Sequence, residues 1–496
     1  MIAALKKLVL FGAALQIAIC SAADFPDRLI EVRLTGSDHQ TYKRLPFDVP
    51  SGVGRITIET EYTGQSERTV VDFGLIDHAD KLVGWSGGNK KTFTLSEFDA
   101  TPSYSPRGIS PGIWHLLIGV PNIRPDSTSL LKAKIYFSKS ADPIDEPGVL
   151  RTVINSRNQW YRGDLHAHSG HSDGTCASAH HKLMVPCPTY KVIEKARERK
   201  LDFLALTEHN TGSQANSLRE LQPFFDDILL LSGRELTSFY GHANAIGLVQ
   251  NIDFQANSAQ DGWNSQLISV SNSVFVSVNH PVRAGGEFCM GCAWLGGFPN
   301  PAVQGIEIAN GDDMGTRYSG LDFWEKLLEL GHKLTAVAGS DNHNPDKDWY
   351  DWSTLGRPSN WVLAEDLSQS AIIKSLRQGH VVLDFSKDES RIHQPPIEMI
   401  AKVGDQVAQI GDSRLVPLGQ TIDLEITTSD NYPRRLFLHS NEAMNIQYPN
   451  GRGLSPGEKI IIKIKMPNES SWIWAEIRDE KKNVLALTNP IYFTLK

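Results

Sequence analysis

The hydrophobic pattern changes twice along the chain. From residue 24 to about 150, short apolar runs alternate with polar positions at a period of two. "RLIEVRLTG", "GRITIETEYTG", "TVVDFGLID", "IWHLLIGVP" and "LLKAKIYFS" are each bounded by Gly, Pro, Asp or Asn. Period two places alternate side chains on opposite faces of a strand, so this stretch predicts a β-sandwich. The Asp- and Pro-rich "SADPIDEPG" that follows reads as a linker. Between about 155 and 388 near-continuous apolar runs ("LDFLALT", "DILLLSG", "HANAIGLV", "SVFVSVN", "AVQGIEIAN", "KLTAVAG", "NWVLAE") are interspersed with helical patterns. "TYKVIEKARERK" and "GLDFWEKLLELG" are two of these, the second ending in Gly331 as a C-terminal cap would. Repeated strand and helix alternation predicts an α/β barrel or a doubly wound sheet. From 389 to 496 "TIDLEITTS", "RRLFLHSN", "EKIIIKIKM", "SWIWAEIRD" and "PIYFTLK" return to strand patterning, which predicts a C-terminal β domain.

A chain of 496 residues is too long for one ordinary core, in keeping with this tripartite reading. Its composition, 40% hydrophobic and 21% charged with a formal net charge of -8, is that of a globular protein. The absence of a basic stripe argues against binding nucleic-acid polymer by electrostatics. Residues 1–23 resemble a bacterial signal peptide. Lys6 and Lys7 form the basic region, Leu8 to Ile19 the apolar one, and Ser21-Ala22-Ala23 the cleavage site. Cys20 invites lipoprotein processing, but Ile19 stands where that signal wants a small residue. No run approaches the ~20 apolar residues of a transmembrane helix, so the expectation is an exported protein, periplasmic or extracellular. Removing residues 1–23 takes away two lysines and no acids, for a mature charge of 47 - 57 = -10. Four cysteines then remain, Cys176, Cys187, Cys289 and Cys292. Disulfides Cys176–Cys187 and Cys289–Cys292 are expected, with crossed pairing or a four-thiolate zinc site as alternatives.

The chemistry-bearing residues cluster in the middle segment. "YRGDLHAHSGHSDGT" supplies His166, His168 and Asp173. His209 follows "LDFLALT", Glu235 follows "DILLLSGR", and His242 opens "GHANAIG". His280 follows "SVFVSVN", and Asp341 and His343 follow "KLTAVAGS". In an α/β barrel the C-terminal ends of the strands share one rim, so these side chains would converge. Neutral imidazole and carboxylate are ligands for Zn²⁺, Mn²⁺ and Fe²⁺. In "HAH" the alternate residues point the same way, so His166 and His168 can grip one ion together. Singly, each piece reads as a surface loop, a turn or a satisfied core histidine. Their joint placement predicts two or three divalent metal ions.

The ordered motifs "DLHAHSGHSDG", "ALTEHN", "GREL" with "GHANAIG", "VNHP" and "GSDNH" resemble the PHP (polymerase and histidinol phosphatase) superfamily, in particular its CehA/McbA-like metallohydrolases. The resemblance covers roughly residues 160–385, and "TNPIYF" near the end is similar to the tail of that branch. It implies a distorted (β/α)7 barrel between the two β domains. It also implies that His166, His168, Glu235 and Asp341 bind a first metal, that Glu235 bridges to a second held by His242 and His280, and that Asp173, His209 and His343 hold a third. "CASAHHKLMVPC", with His180 and His181, departs from the pattern, and His380 stands where relatives often have arginine.

Such a centre predicts hydrolysis by activated water, with Arg283 of "HPVRAGG" stabilising developing charge and Asp341 or His343 relaying protons. A small anionic phosphoester is the expected substrate. A carbamate, amide or aryl ester is the alternative, with Trp294, Phe298 and Trp324 as a candidate apolar wall, although a core role suits them better. A non-catalytic glycan- or cell-wall-binding protein is a third reading.

Overall fold

A computed structural model describes residues 25–88, 90–139, 152–250, 252–255, 274–285, 289, 291–298, 300–387, 394–429, 432–441, 444 and 451–496. The signal peptide expected at 1–23 lies outside the described residues, as does the whole of the expected linker. The N-terminal unit, Arg28 to Ser138, consists of two four-stranded antiparallel sheets. Strand Arg28–Thr35 alternates in burial as its sequence does and pairs with Thr128–Ser138 from Arg28↔Ile135 to Thr35↔Thr128. Leu34, Ile56 and Leu131 of one sheet and Phe73, Trp114 and Leu116 of the other share one core. The period-two pattern is satisfied by burying one face of each sheet against the other.

The middle segment contains, in chain order, β1 (Gln159–Asp164), α1 (Thr189–Glu198), β2 (Phe203–His209), α2 (Gln214–Leu221), β3 (Leu229–Ser238) and β4 (Gly241–Ile246). There follow β5 (Phe275–Val278), β6 (Gly305–Asn310), α3 (Leu321–Glu329), β7 (Thr335–Gly339), β8 (Ser359–Ala364), α4 (Gln369–Gln378) and β9 (Val381–Asp384). The sheet order is β7-β6-β5-β4-β3-β2-β1-β8-β9. This overturns the expected α/β class and its distorted (β/α)7 barrel. The described residues are 45% strand and 11% helix, with four α-helices among them. The β3–β4, β4–β5, β1–β8 and β8–β9 pairings are antiparallel. The physical reason lies in the connections. Only Phe239 and Tyr240 separate β3 from β4, and a parallel pair needs a crossover of a dozen or more residues. The apolar runs indicated buried strands correctly, but continuous hydrophobicity does not encode strand direction. The helices read from "TYKVIEKARERK" and "GLDFWEKLLELG" are α1 and α3, and Gly331 follows α3 at φ 88°.

The sheet curls until β7 lies beside β8, and two buried asparagines close the gap. Asn360 of β8 accepts from Ala338 N (2.9 Å) and donates to Ala338 O (2.7 Å). Asn489, in "TNPIYF", does the same for Ala336 at 2.7 and 2.9 Å. The sheet does not stop at residue 388. Strand Val484–Thr488 pairs with β9 (Val382↔Thr488 to Asp384↔Ala486), so central and C-terminal strands form one fifteen-stranded sheet. A second four-stranded sheet, built from Ile397–Val403, Gln406–Gln409, Thr421–Thr428 and Lys459–Lys465, contributes to a core shared with Trp361 and Val382.

Candidate metal centre

The curl brings the ends of six strands to one rim. His166 and His168 lie just beyond β1, His209 ends β2, and Glu235 lies within β3. His242 opens β4, whose antiparallel direction puts its beginning, not its end, at this rim. His280 is two residues past β5, and Asp341 and His343 follow β7. The β1 and β7 exits are stitched by backbone: Asp341 N donates to His166 O and His168 N to Asn342 O, both at 2.9 Å. His280 (φ 29°) and Asp341 (φ 50°) adopt left-handed backbone, uncommon for non-glycine residues and concentrated at functional sites.

Glu235 occupies the centre. Its Oε1 lies 3.5 Å from His166 Nε2, 3.2 Å from His242 Nδ1 and 3.4 Å from His280 Nε2. Its Oε2 lies 3.6 Å from His168 Nε2 and 2.8 Å from His209 Nδ1. Asp341 Oδ1 faces His166 Nε2 at 3.3 Å and His168 Nε2 at 3.1 Å. Asp173, more exposed, has Oδ1 3.2 Å from His343 Nε2 and 3.7 Å from His209 Nε2. Three groups bring ligand atoms within 4.8 Å of one another: His166, His168 and Asp341; His168, Asp173, His209 and His343; and His242, His280 and Cys292. The first two could each hold a metal ion as they stand, whereas in the third the Cys292 sulfur is tied to Cys289. All nine ligand candidates therefore gather in one cluster, which His168 links and Glu235 spans.

The electrostatics match this crowding. Burial pushes Glu235 and Asp341 upward, but His166 and the other imidazoles hold both well below the usual carboxylate range. Burial lowers His166, yet Asp341, Glu307 and Glu235 raise it well above an ordinary imidazole. Burial takes His168 down to about 4. His343, disfavoured by burial but paired with Asp173 and Asp341, rises to about 9. His166 Nε2 and His280 Nδ1 are buried with no hydrogen-bond partner among the described residues. Unpartnered ring nitrogens of this type have a lone pair to offer an electrophile.

Two flanking elements hold the rim. The expected Cys176–Cys187 bond ties the hairpin Thr175–Ala177/Met184–Pro186, where Cys187 O accepts from Gly170 N (2.7 Å) and Thr175 N donates to His343 O (2.7 Å). Asp173 is thereby carried opposite His343. The other expected pair, Cys289–Cys292, is also bonded. Arg283 Nη1 lies 3.6 Å from Asp341 Oδ2. His171 instead bonds Ser213 and Ser217, and His380 bonds Asp412. Trp324 is fully buried, donates to Leu334 O and packs on Trp474, so it belongs to the core rather than to a pocket wall. Trp294 and Phe298 pack, half-buried, on that same core.

Sequence reasoning missed Glu307. Its Oε1 is 2.8 Å from His166 Nδ1, and its Oε2 accepts from His280 N (2.9 Å) and Asn310 Nδ2 (3.1 Å). The available signal was one carboxylate inside the apolar strand "GIEIAN". Glu208, also passed over, accepts from Ser169 N at 2.9 Å and from the Ser172 hydroxyl at 2.5 Å, anchoring the loop that carries Asp173.

No family model and no curated protein matches the chain. Among solved structures, a Niemann-Pick type C2 protein from Japanese carpenter ant is 15% identical over 20% of this chain and 89% of its own, at a TM-score of 0.13. Salmonella alpha-2-macroglobulin reacted with methylamine is 9% identical over 92% of this chain and 30% of its own, at a TM-score of 0.16. Trypsin-activated alpha-2-macroglobulin from Escherichia coli is 10% identical over 86% and 30%, at a TM-score of 0.17. The chain thus spans under a third of either macroglobulin, and similarity this low carries no argument about fold or function.

Proposed function

We propose that the protein is an exported metal-dependent hydrolase of small phosphoesters. The observation that carries this reading is the position of Glu235. One buried carboxylate faces His166, His242 and His280 with one oxygen and His168 and His209 with the other, the disposition of a bridging ligand. His166, His168 and Asp341 would hold one ion, His242 and His280 with Glu235 a second, and Asp173, His209 and His343 a third. When bound, such ions supply Lewis acidity and bring the pKa of water toward about 7.

The chain's own residues do the rest. Glu307 fixes the His166 ring through Nδ1, leaving Nε2 to face the cluster. Arg283 provides a cation at the edge beside Asp341, placed to orient a phosphoryl oxygen; this favours a phosphoester over a neutral carbonyl substrate. With only the first two ions bound, His343 can hold a proton at Nε2, shared with Asp173, for delivery to a leaving group. The ordered motifs resembling the PHP superfamily give a second support. That support rests on the residues, since the mixed sheet departs from the superfamily's (β/α)7 barrel. Two disulfides suit an oxidising compartment, and no helix among the described residues is long and apolar enough to cross a membrane.

The test is metal content by elemental analysis, then turnover of aryl phosphomonoesters and diesters beside aryl carboxyl esters with the metal restored. Phosphate release that falls to background in Asp341→Ala supports the proposal. Turnover that survives loss of the metal, or confinement of activity to carboxyl esters, rejects it.

A further inference from the structure

The Cys289–Cys292 pair plays no part in the hydrolytic reading, yet it lies against the donor cluster. Arg283 N donates to His280 O at 3.0 Å, and Trp294 N donates to Pro281 O at 2.9 Å, holding Trp294 at the β5 exit. Cys292 is 1% exposed. Its Sγ lies within 4.8 Å of one ring nitrogen of His242 and one of His280, and those nitrogens are equally close to each other. His280 is itself 3% exposed and keeps Nδ1 without a hydrogen-bond partner among the described residues. A sulfur whose only task is to close a short loop has no need of two imidazoles beside it. Two imidazoles and a thiolate at this spacing are a nitrogen–sulfur donor set of the kind zinc prefers.

We propose that Cys292 is a reserve metal ligand released by reduction: once the Cys289–Cys292 bond is opened, its thiolate joins His242 and His280 around a thiophilic divalent ion. The exchange balances with a dithiol reductant. Its thiolate attacks Cys289 Sγ, the S–S bond breaks toward Cys292, and the second reductant thiol completes a new disulfide. The protein gains two electrons and two protons as two thiols, and Cys292 yields its proton to solvent as the sulfur–metal bond forms. With the bond closed, the site offers only imidazole and carboxylate, which accept manganese, iron and zinc alike. With it open, selection shifts to zinc, and the zinc Kd falls by roughly tenfold or more. The inference rests on the reading that His242 and His280 hold a metal. It does not depend on hydrolysis.

The experiment uses the full chain loaded anaerobically with cobalt(II), whose ligation by sulfur produces an intense near-ultraviolet charge-transfer band that nitrogen and oxygen donors do not. Four samples are compared: untreated, phosphine-reduced, Cys289→Ser without reductant, and phosphine-reduced Cys292→Ser. The band is expected in the second and third and absent from the first and fourth. Cobalt binding without the band in both the reduced protein and Cys289→Ser overturns the inference and leaves the metal reading standing. A band that persists in reduced Cys292→Ser overturns it too, because the thiolate then comes from Cys289, Cys176 or Cys187. No cobalt in any sample removes both readings. The expected band pattern in a protein that hydrolyses nothing upholds the ligand and rejects the hydrolase.

Discussion

Glu307 shows how one carboxylate sets the geometry of its neighbours. It holds the His166 ring from behind, through Nδ1 at 2.8 Å, and caps His280 N at 2.9 Å. Both strained exits, at His280 and Asp341, are thus tied to groups that fix them. Glu307→Gln keeps the shape but removes the charge that orients and enriches the imidazole. It should weaken metal binding by roughly 10- to 100-fold, measured by chelator competition, while the unfolding midpoint of metal-free protein changes little. An unchanged affinity would remove Glu307 from the centre. Gly339 matters for a steric reason: a Cβ there would collide with His166 and Glu307. Gly339→Ala should displace the His166 ring and lower metal stoichiometry, read by elemental analysis. The nine ligand candidates were legible because His and Asp are conspicuous at the ends of apolar runs. Glu307 was not, because a lone acid inside a strand marks no face until the strand's partners are known.

At the scale of elements, the outer edge of β7 is the feature to test. An unpaired strand edge buried in a core would leave N–H and C=O groups unsatisfied. Here Asn360 and Asn489 each present an amide that acts as a one-residue strand, donating and accepting at Ala338 and Ala336. Asn489→Ala orphans both groups of Ala336, while the Val381 carbonyl keeps the backbone N–H of residue 489. At about 1–3 kcal/mol for each buried group left unpaired, the loss should reach roughly 2 kcal/mol or more, read as a lower urea midpoint. Asn489→Asp, which keeps the acceptor but not the donor, should fall between the two. A variant as stable as the parent would mean that the sheet is closed by packing alone. The helices α1 and α3 and the N-terminal strands followed from local periodicity. The directions of β4, β8 and β9 did not, because direction is set by connection length and by which edge is free.

Across the whole molecule, the N-terminal sandwich is docked on the central unit through α2. Asp99, buried in the sandwich, pairs with Arg55 of its own sheet and with Arg219 of α2, and Asn216 accepts from Ala100 N at 2.9 Å. Burial pushes Asp99 upward, but Arg219 and Arg55 bring its carboxyl below the ordinary value. A carboxyl depressed by folding adds stability that is complete above its unfolded pKa of about 3.9 and is lost as pH falls through the lower folded value. Asp99→Asn should therefore flatten the acid limb of the thermal midpoint below about pH 4. Arg219→Ala, leaving Asp99 with Arg55 and the Ser96 hydroxyl, should cost about 2 kcal/mol and loosen the sandwich first, read by hydrogen exchange at Ala100. Equal acid sensitivity of Asp99→Asn and parent would dismiss this pair as the docking contact.

By itself, the sequence determined which residues are strand-forming, where two helices lie, which short-range cysteine pairings to expect, and which nine side chains are candidates for ligand chemistry. These properties are local: period, caps, short loops and residue type. Only the tertiary structure decided that the central sheet is mixed rather than parallel, that it continues into the C-terminal strands through Val484–Thr488, and that Glu235 stands between two sets of imidazoles with Glu307 behind them. Those facts depend on contacts between residues up to about two hundred positions apart, such as Gly163 with Asn360, His166 with Glu307 and Ala336 with Asn489. No window along the chain contains both partners of such a contact. Its geometry exists only once the sheet has curled and the two asparagines have closed it.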